Sequence, residues 1–140
     1  MEDMNWMALI VAAISALVVG FVWYNEKVFG GAWMKMVGMT PEKAKESNMA
    51  VTMGLALVFA FVLAFFLTFI VTNGEEHQDP QYHTFKHGAF HGILLALFTA
   101  LPMLGTNALF EQKSWKYIAI NVGYWVVTLA VIGGIVSAWR

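Results

Sequence analysis

The sequence predicts an all-α membrane protein: a compact bundle of four transmembrane helices, with a short interfacial or re-entrant segment after the first. Three observations carry that prediction. Of 140 residues, 59% are hydrophobic and 12% are charged, about half the roughly 25% charged content of a soluble domain. Mean hydropathy is +0.65. The charges are gathered into connections, leaving four stretches of the roughly 20 apolar residues that carry a helix across a bilayer. The whole chain, 1–140, reads as one transmembrane domain, with spans at about 5–24, 49–72, 82–105 and 115–139.

The first span has no charge between Asp3 and Glu26. Trp6 opens it and Trp23 with Tyr24 closes it, as interfacial aromatics do. Its acidic start, Glu2 and Asp3, with Lys27 only afterwards, is unlike a secretory signal peptide. Ala8, Ala12, Ala16 and Gly20 form a row of small residues along one helical face.

Glu26 to Asn48 is polar. Within it, Val28 to Met34 is too short to span and carries Phe29 and Trp33, which suits a surface-lying or shallow re-entrant segment. Thr40-Pro41-Glu42 reads as a helix start, with Thr40 as cap, Pro41 at the first helical position and Glu42 at the positive end of the dipole. That helix is expected to run on into the second span, whose small row is Ala56, Ala60 and Ala64, extended by Thr68 and Thr72.

Asn73 to Gln81 has the turn residues and charge of a loop. The third span follows with His83, His87 and His91 at i, i+4 and i+8, which a helix would place on one face. Beside them runs the row Thr84, Gly88, Gly92, Ala96 and Ala100. Pro102 predicts a kink or an early end. Thr106 to Lys113 reads as a connection. The last span carries Asn121, Gly123, Tyr124, Gly133 and Gly134 and ends near Trp139 and Arg140.

Four spans place Lys27, Lys35, Lys43, Lys45, Lys113 and Lys116 on one side and only Lys86 and Arg140 on the other. The positive-inside rule then makes the first and third loops cytoplasmic and puts both termini outside. Eight basic against nine acidic residues leave no basic footprint for nucleic acid. The absence of cysteine removes disulfides, thiolate metal sites and cysteine nucleophiles.

Two histidines one turn apart can chelate a divalent transition metal. His83, His87 and His91 are therefore candidate ligands, with His77, Glu75, Glu76 and Asp79 as nearby additions. The residues between the histidines supply no general-base glutamate, which argues against a zincin-type hydrolase, and Lys86 disfavours a bound cation. The alternative is that the imidazoles hydrogen-bond neighbouring helices, or titrate near neutrality in a proton-coupled role. Asn107 and Asn121 are expected to be buried, since an amide in hydrocarbon must find partners. The rows at Ala12, Ala16, Gly20, Ala56, Ala60, Gly88, Gly92 and Ala96 are expected to pack helix on helix.

The run Trp23-Tyr24, Phe29-Gly30, Trp33, Gly38 and Asn48 resembles a bacterial membrane family catalogued as domain of unknown function 1761. The resemblance resumes at Lys86-His87-Gly88, Pro102, Asn107, Phe110-Glu111, Trp115, Asn121 and Tyr124-Trp125. Glu26 stands where that family usually has a proline after the Trp-Tyr pair. The resemblance implies a four-helix inner-membrane protein and no established activity. Three functions follow as expectations. The first is association within the lipid bilayer, as a homo-oligomer or with other membrane subunits. The second is metal-ion or proton binding or transport at the histidine face. The third is a small oxidoreductase with a quinone or haem between helices.

Overall fold

The computed structural model describes residues 4–73 and 78–140. Its four membrane-length helices are α1 (Trp6–Trp23), α4 (Met49–Thr72), a composite third span (Phe85–Phe110) and α7 (Trp115–Ala138). Between α1 and α4 lie a π-helical turn (Glu26–Gly30) and two short helices, α2 (Gly31–Val37) and α3 (Pro41–Lys45). The third span is built from α5 (Phe85–Leu95), a π-helical turn (Ala96–Ala100) and α6 (Leu101–Phe110).

Each span begins on a polar cap. Asn5, Asn48, Thr84 and Ser114 accept from the backbone N–H of Ala8, Val51, His87 and Tyr117, at 3.1 to 3.2 Å. A helix start leaves N–H groups without intrahelical partners, and a short polar side chain satisfies one of them. These caps also correct two expectations. The helix begun at Pro41 stops at Lys45, and α4 starts afresh behind Asn48. The third span starts at Phe85 rather than residue 82, because Thr84 is its cap and Pro80–Tyr82 forms a separate 3-10 turn.

Pro102 neither ends nor sharply breaks the third span, which continues to Phe110. Proline has no N–H and its ring crowds the carbonyl four residues back. Here the preceding turn is wound as π-helix, with Leu101 N–H donating to the Ala96 carbonyl five residues earlier. One turn of wider radius, with more residues per turn, thus absorbs the misfit, and Thr106 to Phe110, expected as a connection, remain helical.

α7 is the hub: 44% of its apolar window lies inside the bundle, against 11% for the third span. α5, α1 and α4 all pack on it, and α1 also packs on α4. The main core gathers Leu9, Ala12, Ala13 and Ala16 of α1, Ala60, Ala64, Leu67 and Val71 of α4, Ala96, and Leu129, Ile132 and Val136 of α7. These residues sit at the middle of each helix or in the half nearer the histidine end. At the lysine-rich end the apolar core shrinks to Ala108, Ile118 and Val122. There α4 and α6 have no substantial contact, and Met49 to Thr52 are exposed. The bundle is closed at one end and splayed at the other.

The tightest contact is between α5 and α7. A Cβ at Gly88 would overlap the Gly133 carbonyl oxygen, one at Gly92 the Leu129 carbonyl oxygen, and one at Gly133 the Gly88 carbonyl oxygen. Gly134 is covered by the Phe85 ring. Lipid tails are as apolar as leucine, so hiding hydrocarbon drives little association. Close backbone approach supplies dispersion contacts instead, and only glycine permits it. The other small rows also turn inward: Ala8, Ala12, Ala16, Ala60, Ala64 and Ala96 are buried, Ala56 and Gly20 half-buried.

Thr128 of α7 is fully buried, and its hydroxyl makes no hydrogen bond of good geometry. The Tyr124 side chain one turn earlier is near enough to interact with it but donates to the Ala16 carbonyl. By contrast, Thr52, Thr68, Thr72 and Thr99 each donate to the carbonyl four residues back. A buried hydroxyl without a partner costs about 1–3 kcal/mol. Thr128→Val, which keeps the shape, is expected to leave thermal stability in detergent unchanged or raised, and a lowered melting temperature would contradict this.

Candidate functional site

The two ends of the bundle carry different polar chemistry. At the histidine end, α1, α4 and α7 surround a cleft of about 600 Å³. Asn5, Asn73, Gln78, His83, Trp139 and Arg140 line it, above Met4, Ala8 and Phe69. The Asn5 amide donates to the Trp139 carbonyl at 3.1 Å, and the Arg140 guanidinium donates to the Val71 carbonyl, tying the ends of α1 and α4 to that of α7. Burial pushes the Arg140 pKa below its ordinary value, yet arginine stays charged at neutral pH.

The three-imidazole ladder does not form. His83 precedes the helix, with extended backbone at Thr84 between it and α5, and is exposed. Only His87 and His91 share a face. Both are half-buried, with ring centroids 4.6 Å apart, and Tyr82 lies 5.0 Å from His87. Among the described residues, no three His, Asp or Glu side chains gather as ligands would. Glu75, Glu76 and His77 lie outside the described residues. Ser137 donates to the Tyr82 carbonyl at 3.2 Å, fixing the loop that leads into α5 to the last turn of α7.

At the lysine-rich end, residues from the end of α1, the π-helical turn and α2 converge on the first half of α7. Trp23 donates from its indole N–H to the Ile120 carbonyl at 2.9 Å. Its ring fills the space beside Gly123, where a Cβ would come within 2.7 Å of Cζ2. Tyr24 donates to Asn121 Oδ1 at 2.7 Å, and Tyr124 donates to the Ala16 carbonyl at 3.3 Å. Phe29 lies on Trp23 at 4.6 Å and Trp33 edge-on to Tyr24 at 5.4 Å.

Gly30 makes this fold-back possible. Its N–H donates to the Asn25 carbonyl at 2.9 Å, closing the π-helical turn. A Cβ there would overlap the Tyr24 carbonyl oxygen. α2 ends at Gly38, whose φ of 66° is the left-handed conformation glycine adopts freely. The segment after α1 is therefore held against α7, and Ser114 donates to Met36 Sδ at 3.4 Å to complete the attachment.

Next to this cluster, α6 and α7 enclose a cleft of about 140 Å³, lined by Asn107, Glu111, Tyr117 and Asn121 over Leu104 and Ile118. Asn107, expected to be buried, is exposed although it borders this cleft, because α6 has no substantial contact with any long helix besides α7. Asn121 is half-buried and held by Tyr24. Nothing in the sequence placed the two amides beside Glu111; that convergence depends on α6 continuing past Pro102. Asn107→Ala is expected to change stability by less than about 0.5 kcal/mol, as for an exposed residue. Asn121→Ala is expected to lose about 0.6–1.7 kcal/mol, the range of interhelical hydrogen bonds in membranes. Chemical unfolding in mixed micelles would measure both.

Fold and polar ends together define a small multi-pass α-helical membrane protein whose polar residues collect at the two ends of its helices. The chain belongs to the family described as protein of unknown function (DUF1761), whose model matches residues 7–137. No curated protein and no solved structure matches it. Trp23, Tyr24, Phe29, Gly30, Trp33, Asn107, Glu111, Asn121 and Tyr124, far apart in sequence and all part of the resemblance to that family, lie together at the lysine-rich end.

Proposed function

We propose that the chain works by association with another membrane-embedded chain, as a homo-oligomer or an accessory subunit, in the inner membrane of a bacterium with its lysine-rich end in the cytoplasm. The observation that supports it is the splayed flank between α4 and α6. Gly54 on α4 and Gly105 on α6 each lie five residues from the helix end on that side. At both, an added Cβ would meet open space. Glycine in a helix costs about 1 kcal/mol relative to alanine. At Gly88, Gly92 and Gly133 close backbone contact within the chain offsets that cost. At exposed Gly54, and at Gly105, which is itself buried but whose Cβ direction is empty, no such contact offsets it, and a helix of a second chain would.

Because the protein has no cysteine, cross-linking has no background. Gly54→Cys and Gly105→Cys are expected to give interchain disulfides in native membranes under mild oxidation, well above Ile10→Cys on the exposed face of α1. Equal yields from all three would remove the association reading. Orientation is separately testable. A membrane-impermeant maleimide should label Gln78→Cys in intact cells and leave Glu42→Cys unlabelled, and the reverse pattern would invert the topology.

A further inference from the structure

We propose that the cleft between α6 and α7 at the lysine-rich end binds a primary ammonium group, and that its occupant is the zwitterionic headgroup of an ethanolamine phospholipid. The inference does not depend on oligomerisation.

Glu111 is the first indication. It is the C-cap of α6, a helix with no basic residue in its last turn. A carboxylate there adds to the negative end of the helix dipole, an arrangement that destabilises the helix unless a cation sits nearby. The amides are the second. Asn107 and Asn121 border the same cleft as Glu111. Asn121 is oriented by its bond from Tyr24, and Asn107 is exposed with its carbonyl oxygen available to a donor. The third is Tyr117, whose ring forms the remaining polar wall. An ammonium already approaches that ring, since Lys113 Nζ lies 5.6 Å from its centroid, within the range of a cation–π contact. Carboxylate, amide oxygen and aromatic face make up a donor-seeking surface suited to an ammonium group.

Size and position narrow the occupant. At about 140 Å³ the cleft is several times what a single water needs, and suits an ammonium and its methylenes. The exposed Lys116, in the first turn of α7 beside Tyr117, is available to a phosphate. The depth also fits. Phe110 (87% exposed) and Trp115 (75% exposed) flank the loop that carries Glu111, and exposed aromatics at span ends mark the headgroup level. A primary ammonium has N–H groups to offer Glu111 and Asn107, whereas a choline headgroup has none. The cleft therefore selects between the two.

The test uses the full chain in mild detergent with short-chain ethanolamine and choline phospholipids in competition, and native mass spectrometry to count bound lipid. One ethanolamine lipid per chain is expected to bind roughly tenfold more tightly than the choline lipid, the weight of one charge-assisted hydrogen bond. Glu111→Gln and Asn107→Ala, both at exposed positions, should erase the preference, with the melting temperature unchanged in Asn107→Ala and unchanged or raised in Glu111→Gln, while Lys27→Ala should retain it. Excess free ethanolamine that displaces the lipid would assign the site to the ammonium alone and overturn the lipid as required occupant. Retained lipid would support the whole headgroup. Equal binding of the two lipids, or a preference unchanged in Glu111→Gln, would overturn the proposal.

Discussion

Gly92→Ala is expected to destabilise the bundle by at least about 3 kcal/mol, the upper end of what overpacking costs in well-packed interiors. The added methyl would occupy the position of the Leu129 carbonyl oxygen. That obstacle is backbone, so no side-chain rotation relieves it, and α5 must move away from α7. Moving it also breaks the contact at Gly88 and Gly133 one turn away, where each glycine faces the other's carbonyl. The sites share one crossing, so Gly88→Ala combined with Gly92→Ala should cost much less than the sum of the two. Unfolding in mixed micelles, followed by helical ellipticity, would show the loss. A change below about 1 kcal/mol at Gly92 would mean that the helices can separate without penalty, contrary to the expected cost of overpacking.

Gly30→Ala is expected to release the segment after α1, at a cost of about 1–3 kcal/mol. A methyl there would overlap the Tyr24 carbonyl oxygen within the π-helical turn. Relief requires that turn to rewind, which carries Phe29 off Trp23 and Trp33 off Tyr24. Tyr24 would then lose its lateral support while donating to Asn121, so the effect reaches the α6–α7 cleft. Tryptophan emission should shift to the red as Trp23 and Trp33 meet water and headgroups. Gly31→Ala is the milder comparison, because its Cβ would meet the Glu26 carbonyl oxygen at 3.1 Å, a contact that a small shift relieves. Equal and small effects from both would show that the π-helical turn tolerates a side chain.

Span number and helix class are legible because low charge and apolar runs of about 20 residues act over long windows. The error of three residues at the third span decided the fate of the histidine ladder. Thr84 is an N-cap residue type directly before an apolar-periodic run, and reading it so would have put His83 outside the helix. Asn48 and Ser114 were equally readable. Pro102 misled in the opposite direction: proline reports a missing donor, and whether a helix ends, kinks or rewinds as π depends on the surrounding packing. The small rows announced close helix contacts but not their partners. That Gly88 and Gly92 meet Gly133 and Leu129, while a Cβ at Gly54 or Gly105 would meet nothing within the chain, is a property of three-dimensional pairing. The same holds for Asn107, Glu111 and Asn121, which share a cleft only through the course of α6.

An alanine scan of glycines, with unfolding free energies measured in micelles that keep the chain monomeric, tests most directly whether its seams are used up inside the bundle. Gly88→Ala, Gly92→Ala and Gly133→Ala should each lose several kcal/mol, on the order of the larger overpacking penalties. Gly54→Ala and Gly105→Ala should hold steady or gain up to about 1 kcal/mol from the better helix former. Tolerance at the first three sites, with losses at Gly54 and Gly105, would contradict this division of the glycines between internal and external contacts.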